Sequence, residues 1–181
     1  MMDITSTTIG YSALCALFIA LMAQISFNLP KSISTVPITM QTFAINLIPL
    51  LFGLKIAVLS SIFYYIAIGY GLPVGASGEG GYKKLYGPTG GYLVGFILAS
   101  IQIGIMYQDN PENILMPLII GNLIIFAAGV MWLPFGLSFK TGNKLSNYTN
   151  IKDLLMWGFI PFIPGDLIKI ALAVAVKKVF D

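Results

Sequence analysis

No histidine and no arginine occur among these 181 residues, and all ten basic side chains are lysines. Without imidazole the chain lacks the commonest metal ligand and the usual general base near neutral pH. Cysteine occurs once, as Cys15 in an apolar run, which excludes an internal disulfide and any cysteine-based metal cluster. Charge of either sign is scarce, at 9% of residues, against about 25% in soluble domains. That leaves too little polar surface to cover a water-exposed globule of this size. The net charge of +3 does not indicate a nucleic-acid partner, because such proteins cluster basic residues on one face. Here the lysines are scattered among loops and ends. A secretory leader, with a charged start and one short apolar run before a soluble remainder, is not seen either.

What the chain has is hydrophobicity: 57% of residues, with a mean hydropathy of +0.87. It is spread along the whole length, which predicts one membrane-embedded, all-α domain over residues 1–181 in contact with lipid. A helix needs about 20 apolar residues to cross a bilayer. Six stretches are candidates, residues 9–27, 36–52, 56–70, 92–107, 114–133 and 154–176, which predicts a six-transmembrane-helix bundle. The second, third and fourth are short enough to tilt or to be partly re-entrant. Breaks fall at Pro30-Lys31, at Gly53-Leu54-Lys55, at Asp109-Asn110-Pro111-Glu112 and across the polar loop 140–152. An even number of crossings puts both ends on one side. With the ends cytoplasmic, Lys55, Lys177 and Lys178 lie inside and Lys31, Lys83, Lys84, Lys140, Lys144 and Lys152 outside. That is opposite to the positive-inside rule.

The first span carries Ser12, Ala16 and Ala20 at four-residue spacing, a small-residue stripe on one helix face. Such stripes let another helix approach closely in lipid, whether from a partner or from the chain's own bundle. Between the third and fourth spans, residues 69–91 hold nine glycines. Glycine admits positive φ and close approach of a ligand to backbone, and long loops of this kind lean functional. The segment reads as a lid or wall over a cavity, with Gly78, Glu79 and Gly80 as candidate ligand contacts; the alternative is a flexible connector. It is not a nucleotide loop. No Walker A pattern occurs, and in the partial G-x-G-x-x-G that starts at Gly69, Val74 takes the third glycine position.

The sharpest local feature is Asp166 and Lys169 inside the last apolar stretch. Each charge at membrane depth costs about 2.5–3.5 kcal/mol on insertion scales, so such residues pair, face a cavity or carry function. Three residues apart, they lie about 60° apart around a helix and can offset each other. Pro161 and Pro164 loosen or start the helix beside them. The pair is either a self-satisfied packing element or a polar site for a neutral hydrogen-bonding group, with Asp accepting N–H and Lys donating to a carbonyl. Gln41 could hydrogen-bond ligand or neighbouring backbone. Tyr92 could flank a ligand ring or sit in the interfacial aromatic belt. Tyr64, Tyr65, Trp132 and Trp157 read as belt or packing residues, and Asn46 and Asn122 as hydrogen bonds between helices.

Four segments in order, Val36-Pro37-Ile38-Thr39-Met40-Gln41, Gly71-Leu72-Pro73-Val74, Gly87-Pro88-Thr89-Gly90-Gly91-Tyr92 and Phe162-Ile163-Pro164-Gly165-Asp166-Leu167-Ile168-Lys169, resemble the BioY family, the biotin-specific S components of energy-coupling factor transporters. The resemblance covers nearly the whole chain. It implies six membrane helices with both ends cytoplasmic, in the cell membrane of a bacterium. It also implies no cofactor and no catalysis, with biotin or a close analogue as the transported ligand, held near the outer face by Asp166 and Lys169. It places the Ser12, Ala16 and Ala20 stripe against a transmembrane coupling subunit that joins two ATPase subunits, in keeping with the missing Walker A. Two positions depart from a lactococcal-type member: Glu79 stands where it has Asn, and Leu93 where it has Arg. The ligand carboxylate is then left to Lys83, Lys84, a hydroxyl or backbone N–H groups, and an ionised Glu79 would repel it.

Two other function classes would leave different marks in the residues. A stand-alone ion-coupled carrier would use Asp166 as its proton site. An intramembrane enzyme would need a nucleophile and base that the chain does not present.

Overall fold

In a computed structural model, residues 5–30 and 32–180 are described; Lys31, one of the loop lysines counted above, lies outside them. Helix α1 spans Ser6–Gln24 and is capped by the Thr5 hydroxyl, which accepts from the Thr8 amide. A two-residue strand β1 (Ser26–Phe27) pairs antiparallel with β2 (Ile38–Thr39). Then follow α2 (Gln41–Gly69), the short α3 (Tyr82–Tyr86), α4 (Gly90–Asp109), α5 (Leu115–Thr141), α6 (Ile151–Gly158) and α7 (Ile163–Val179). Among the described residues, five helical runs are long and apolar enough to cross a membrane: α1, α2, α4, α5 and the joined α6–α7. The chain is a multi-pass membrane protein.

The 29-residue α2 is not one rod. Gly53 takes φ 78° and ψ 177° inside it, a left-handed conformation that glycine reaches without steric cost. The Gln41 side-chain amide donates to the Tyr64 hydroxyl at 2.8 Å. Along a straight helix those residues would stand about 34 Å apart, so the two halves fold back on each other at Gly53. The stretches expected at 36–52 and 56–70 therefore meet at a single residue rather than across a loop. Residues 38–39 belong to β2, and the helix begins at Gln41.

Three other expectations need correction. The stretch at 154–176 is interrupted: helix geometry fails at Phe159 (φ −136°, ψ −61°), and Pro161 and Pro164 stand at the next two helical starts. The fifth runs on to Thr141 through Pro134; membrane helices tolerate an internal proline because neighbouring groups re-satisfy the freed backbone. The Ser12, Ala16 and Ala20 stripe turns inward. Ser12 and Ala20 are buried and Ala16 is partly buried, while Gly10, Ala13, Leu14 and Leu17 are exposed. The small face packs α1 closely against the bundle, and the bulky residues are left for lipid.

The outer surface of the bundle is apolar, with Leu14, Leu98, Leu123, Met131, Leu167 and Ile168 all exposed. Hydrocarbon favours such a surface, so the interior is where polar groups must find each other. Asn122 donates to Asn46 at 2.9 Å, the interhelical bond expected from the sequence, and the Ser61 and Ser100 hydroxyls meet at 2.7 Å. Close packing of α4 on α5 depends on glycine: a Cβ at Gly129 would overlap the Tyr92 ring.

Candidate ligand-binding site

The first turns of α2, α4 and α7 converge at one end of the bundle, where the Gly-rich segment covers them. They border a small, partly open cavity. Its walls are apolar and aromatic: Leu93, Phe96, Ile125, Phe126 and Phe162 line it together with Tyr92. The rings pack on each other, Tyr92 against Phe126 edge-on at 6.5 Å and Phe126 against Phe162 at 6.1 Å. The Tyr92 hydroxyl points away and donates to the Gly158 carbonyl at 2.7 Å. Its ring is thereby fixed, with the hydroxyl proton already engaged.

One polar cluster interrupts this wall. Asp166, in the first turn of α7, is 4% exposed and Lys169 is 6% exposed. Lys169 Nζ donates to Asp166 Oδ1 at 2.7 Å, and the Thr42 hydroxyl donates to the same oxygen at 2.7 Å. An ionised carboxylate accepts at both oxygens and an ammonium carries three donors. Among the described residues Oδ2 receives no donor and Lys169 finds no second acceptor. The cluster thus neutralises its own charge and still offers the cavity one acceptor oxygen beside N–H donors.

The other expected residues are placed unevenly. Gln41 lines the cavity, but its amide is engaged: Thr39 donates to its oxygen at 2.9 Å and its nitrogen donates to Tyr64. Tyr64, read from sequence as belt or packing, is buried and lines the cavity. It donates to the Val74 carbonyl at 3.1 Å, and Gln24 of α1 donates to the adjoining Gly75 carbonyl at 3.1 Å. These bonds tie the Gly-rich segment down over the cavity. Glu79 and Gly80 are not in the cavity wall; they line a second, wider cleft of about 670 Å³. Gly78 lines neither, and its positive φ of 68° serves the turn. Pro37, Lys84 and Thr89 border both spaces, so cleft and cavity adjoin at these residues. Lys84 Nζ pairs with Glu79 Oε2 at 2.7 Å.

Sequence reasoning missed Thr42 and the Phe96, Phe126 and Phe162 wall. An uncharged threonine next to Gln41 carries no signal, and its bond to Asp166 joins residues 124 apart in the chain. Phenylalanines in apolar helices are common everywhere, so only the fold shows which ones share a wall.

The BioY family profile matches residues 1–180. A protein of Pyrococcus horikoshii named probable biotin transporter BioY is 32% identical over 166 residues, 92% of this chain and 93% of that protein. The biotin transporter BioY of Thermotoga maritima is 36% identical over 141 residues, 76% of each. The crystal structure of the S-component for biotin from an ECF-type ABC transporter matches with a TM-score of 0.78 at 26% identity, over 98% of this chain and 94% of that one. These similar proteins are transport proteins rather than enzymes. Profile, relatives and fold agree along nearly the full length, and this chain belongs to the BioY family.

Proposed function

We propose that the chain is the biotin-capturing S component of an importer, energised by a transmembrane coupling subunit and ATPase subunits that are separate chains. The observation that carries this reading is the buried Asp166–Lys169 pair at the polar end of an aromatic-walled cavity, with hydrogen-bonding capacity left over on both partners. A cyclic urea presents N–H donors beside a carbonyl acceptor. Its N–H would donate to Asp166 Oδ2 while its carbonyl accepts from Lys169 Nζ, and Thr42 would hold the carboxylate in place. The fused sulfur-containing ring and its alkyl chain would lie against Tyr92, Phe96, Phe126 and Phe162. Apolar burial there adds about 25 cal/mol per Å², and sulfur is favourable at ring edges.

Counting the two halves of α2 separately gives six crossings, the number expected from the apolar runs. The cavity end then faces outward and both chain ends face the cytoplasm of a bacterial cell. The missing Walker A supports a subunit that depends on ATPases elsewhere. A coupling subunit would meet the exposed strip of α1 that includes Gly10, Ala13 and Leu17.

Calorimetry of the detergent-purified chain with biotin tests the central claim. One saturable site is expected, with no need for any other subunit. Absence of binding would sink the assignment. Biotin uptake in cells that lack the ATPase subunits, abolished by an uncoupler, would favour the ion-coupled carrier instead.

A further inference from the structure

We infer that Lys84 receives the ligand's carboxylate, and that Glu79 occupies that ammonium as an internal stand-in until the ligand arrives. The inference rests on the proposed biotin reading and adds to it the group that selects a free acid. If the urea lies against Asp166 and Lys169, the acid end of the ligand points toward the adjoining outer cleft. Two cations border the inner cavity, Lys169 and Lys84. Lys169 is held by Asp166 at 2.7 Å and, in the proposed reading, its remaining donors serve the urea carbonyl. Position 93 offers nothing charged, since Leu93 is a buried hydrocarbon in the wall. That leaves Lys84, which stands where cavity and cleft adjoin.

The Lys84–Glu79 pair is lopsided in a way that suits exchange. The Lys84 side chain is 11% exposed and that of Glu79 is 64% exposed. The ammonium is therefore held on the cavity side by a carboxylate that sits mostly in solvent. Partners of that kind contribute little and are displaced easily. The other contact of Lys84, to the Ala76 carbonyl, is 3.5 Å long, at the limit of a hydrogen bond. A ligand carboxylate arriving at Nζ would replace Glu79 with like charge, so no bare charge is created at any stage. The outer cleft would also attract an anion: Lys83 and Lys140 line it together with Lys84, against Glu79 as its acid among the described lining residues.

The test compares biotin with biotin methyl ester on the purified parent, on Lys84→Met and on Glu79→Gln, by calorimetry. Lys84→Met should weaken biotin by about ten- to hundredfold, the worth of one charge-assisted hydrogen bond, and leave the ester unchanged. Ester binding in the same variant shows that the site is intact. Glu79→Gln should tighten biotin by about two- to fivefold and again leave the ester unchanged. Equal loss of both ligands in Lys84→Met, or loss of neither, overturns Lys84 as the carboxylate receptor. Weaker biotin binding in Glu79→Gln overturns the stand-in role. If the parent binds neither ligand, the biotin reading fails and takes this inference with it.

Discussion

Replacing Asp166 with Asn, alone and together with Lys169→Met, separates a binding role for the pair from a packing role. Asp166 Oδ1 holds both Lys169 and Thr42 at 2.7 Å, and neither charge is more than 6% exposed. Asp166→Asn leaves Lys169 buried without a counter-charge, a change that costs about 3–5 kcal/mol of stability. It also turns a charged acceptor toward the urea into a neutral amide. Loss of one charge-assisted hydrogen bond, about 1.5–3 kcal/mol, weakens biotin roughly 10- to 150-fold. The double variant removes the orphan ammonium and fills its space with an unbranched apolar chain. Replacing a whole buried pair in this way is often close to neutral for stability. Thermal unfolding in detergent should therefore recover most of its midpoint in the double variant. Biotin calorimetry should not recover, because both urea partners are gone. The reasoning is refuted if Asp166→Asn binds biotin like the parent, or if affinity returns with stability in the double variant.

Tyr92→Phe removes the donor to the Gly158 carbonyl at 2.7 Å but keeps the ring in the cavity wall. It should cost about 1–3 kcal/mol of stability and change biotin affinity little; a collapse of affinity with an unchanged unfolding midpoint would mean the hydroxyl touches ligand. Ser12→Trp should disrupt the subunit, since Ser12 is fully buried, whereas Ala13→Trp on the exposed side of the same helix should leave the isolated subunit folded and binding. Size-exclusion profiles and calorimetry decide, and the opposite pattern would return the Ser12 stripe to the lipid face. Orientation is accessible because the single cysteine, Cys15, is buried. A membrane-impermeant maleimide on intact cells should label Lys140→Cys and spare Lys178→Cys; the reverse would put the cavity on the cytoplasmic side.

The sequence exposed what contrast exposes. Asp166 and Lys169 stood out because charge in an apolar run is conspicuous, and their spacing already allowed the ion pair seen in the structure at 2.7 Å. Asn46 and Asn122 stood out for the same reason. The fold-back at Gly53 left a weaker trace. A glycine with positive φ reverses the chain within one residue, so hydropathy sees a nearly continuous apolar run. The break at Phe159 is hidden likewise, since Phe159, Ile160 and Phe162 keep the turn as apolar as the helices it separates, and Pro161 and Pro164 alone mark it. The direction of the α1 stripe could not be read at all. Its helix is apolar on every side, so spacing identifies a face without saying whether lipid or protein covers it. Thr42 and Tyr64 became visible as site residues only when distant segments met.

The lysine count that opposes the proposed orientation has a structural reading. Positive-inside statistics weigh lysines in short loops as topological signals, yet Lys83, Lys84 and Lys140 line the outer cleft. Setting those three aside, the sequence count for the proposed orientation becomes Lys31, Lys144 and Lys152 outside against Lys55, Lys177 and Lys178 inside, three against three. The rule then no longer favours either side. An importer of an anion needs positive charge at the mouth of its site, where steering raises the rate of encounter. In a chain with no arginine and no histidine, lysine alone can supply it. On the proposed reading, the residues that tilt the topological count are thus those lining the mouth through which the ligand enters, its carboxylate stopping at Lys84 while its urea goes on to Asp166 and Lys169.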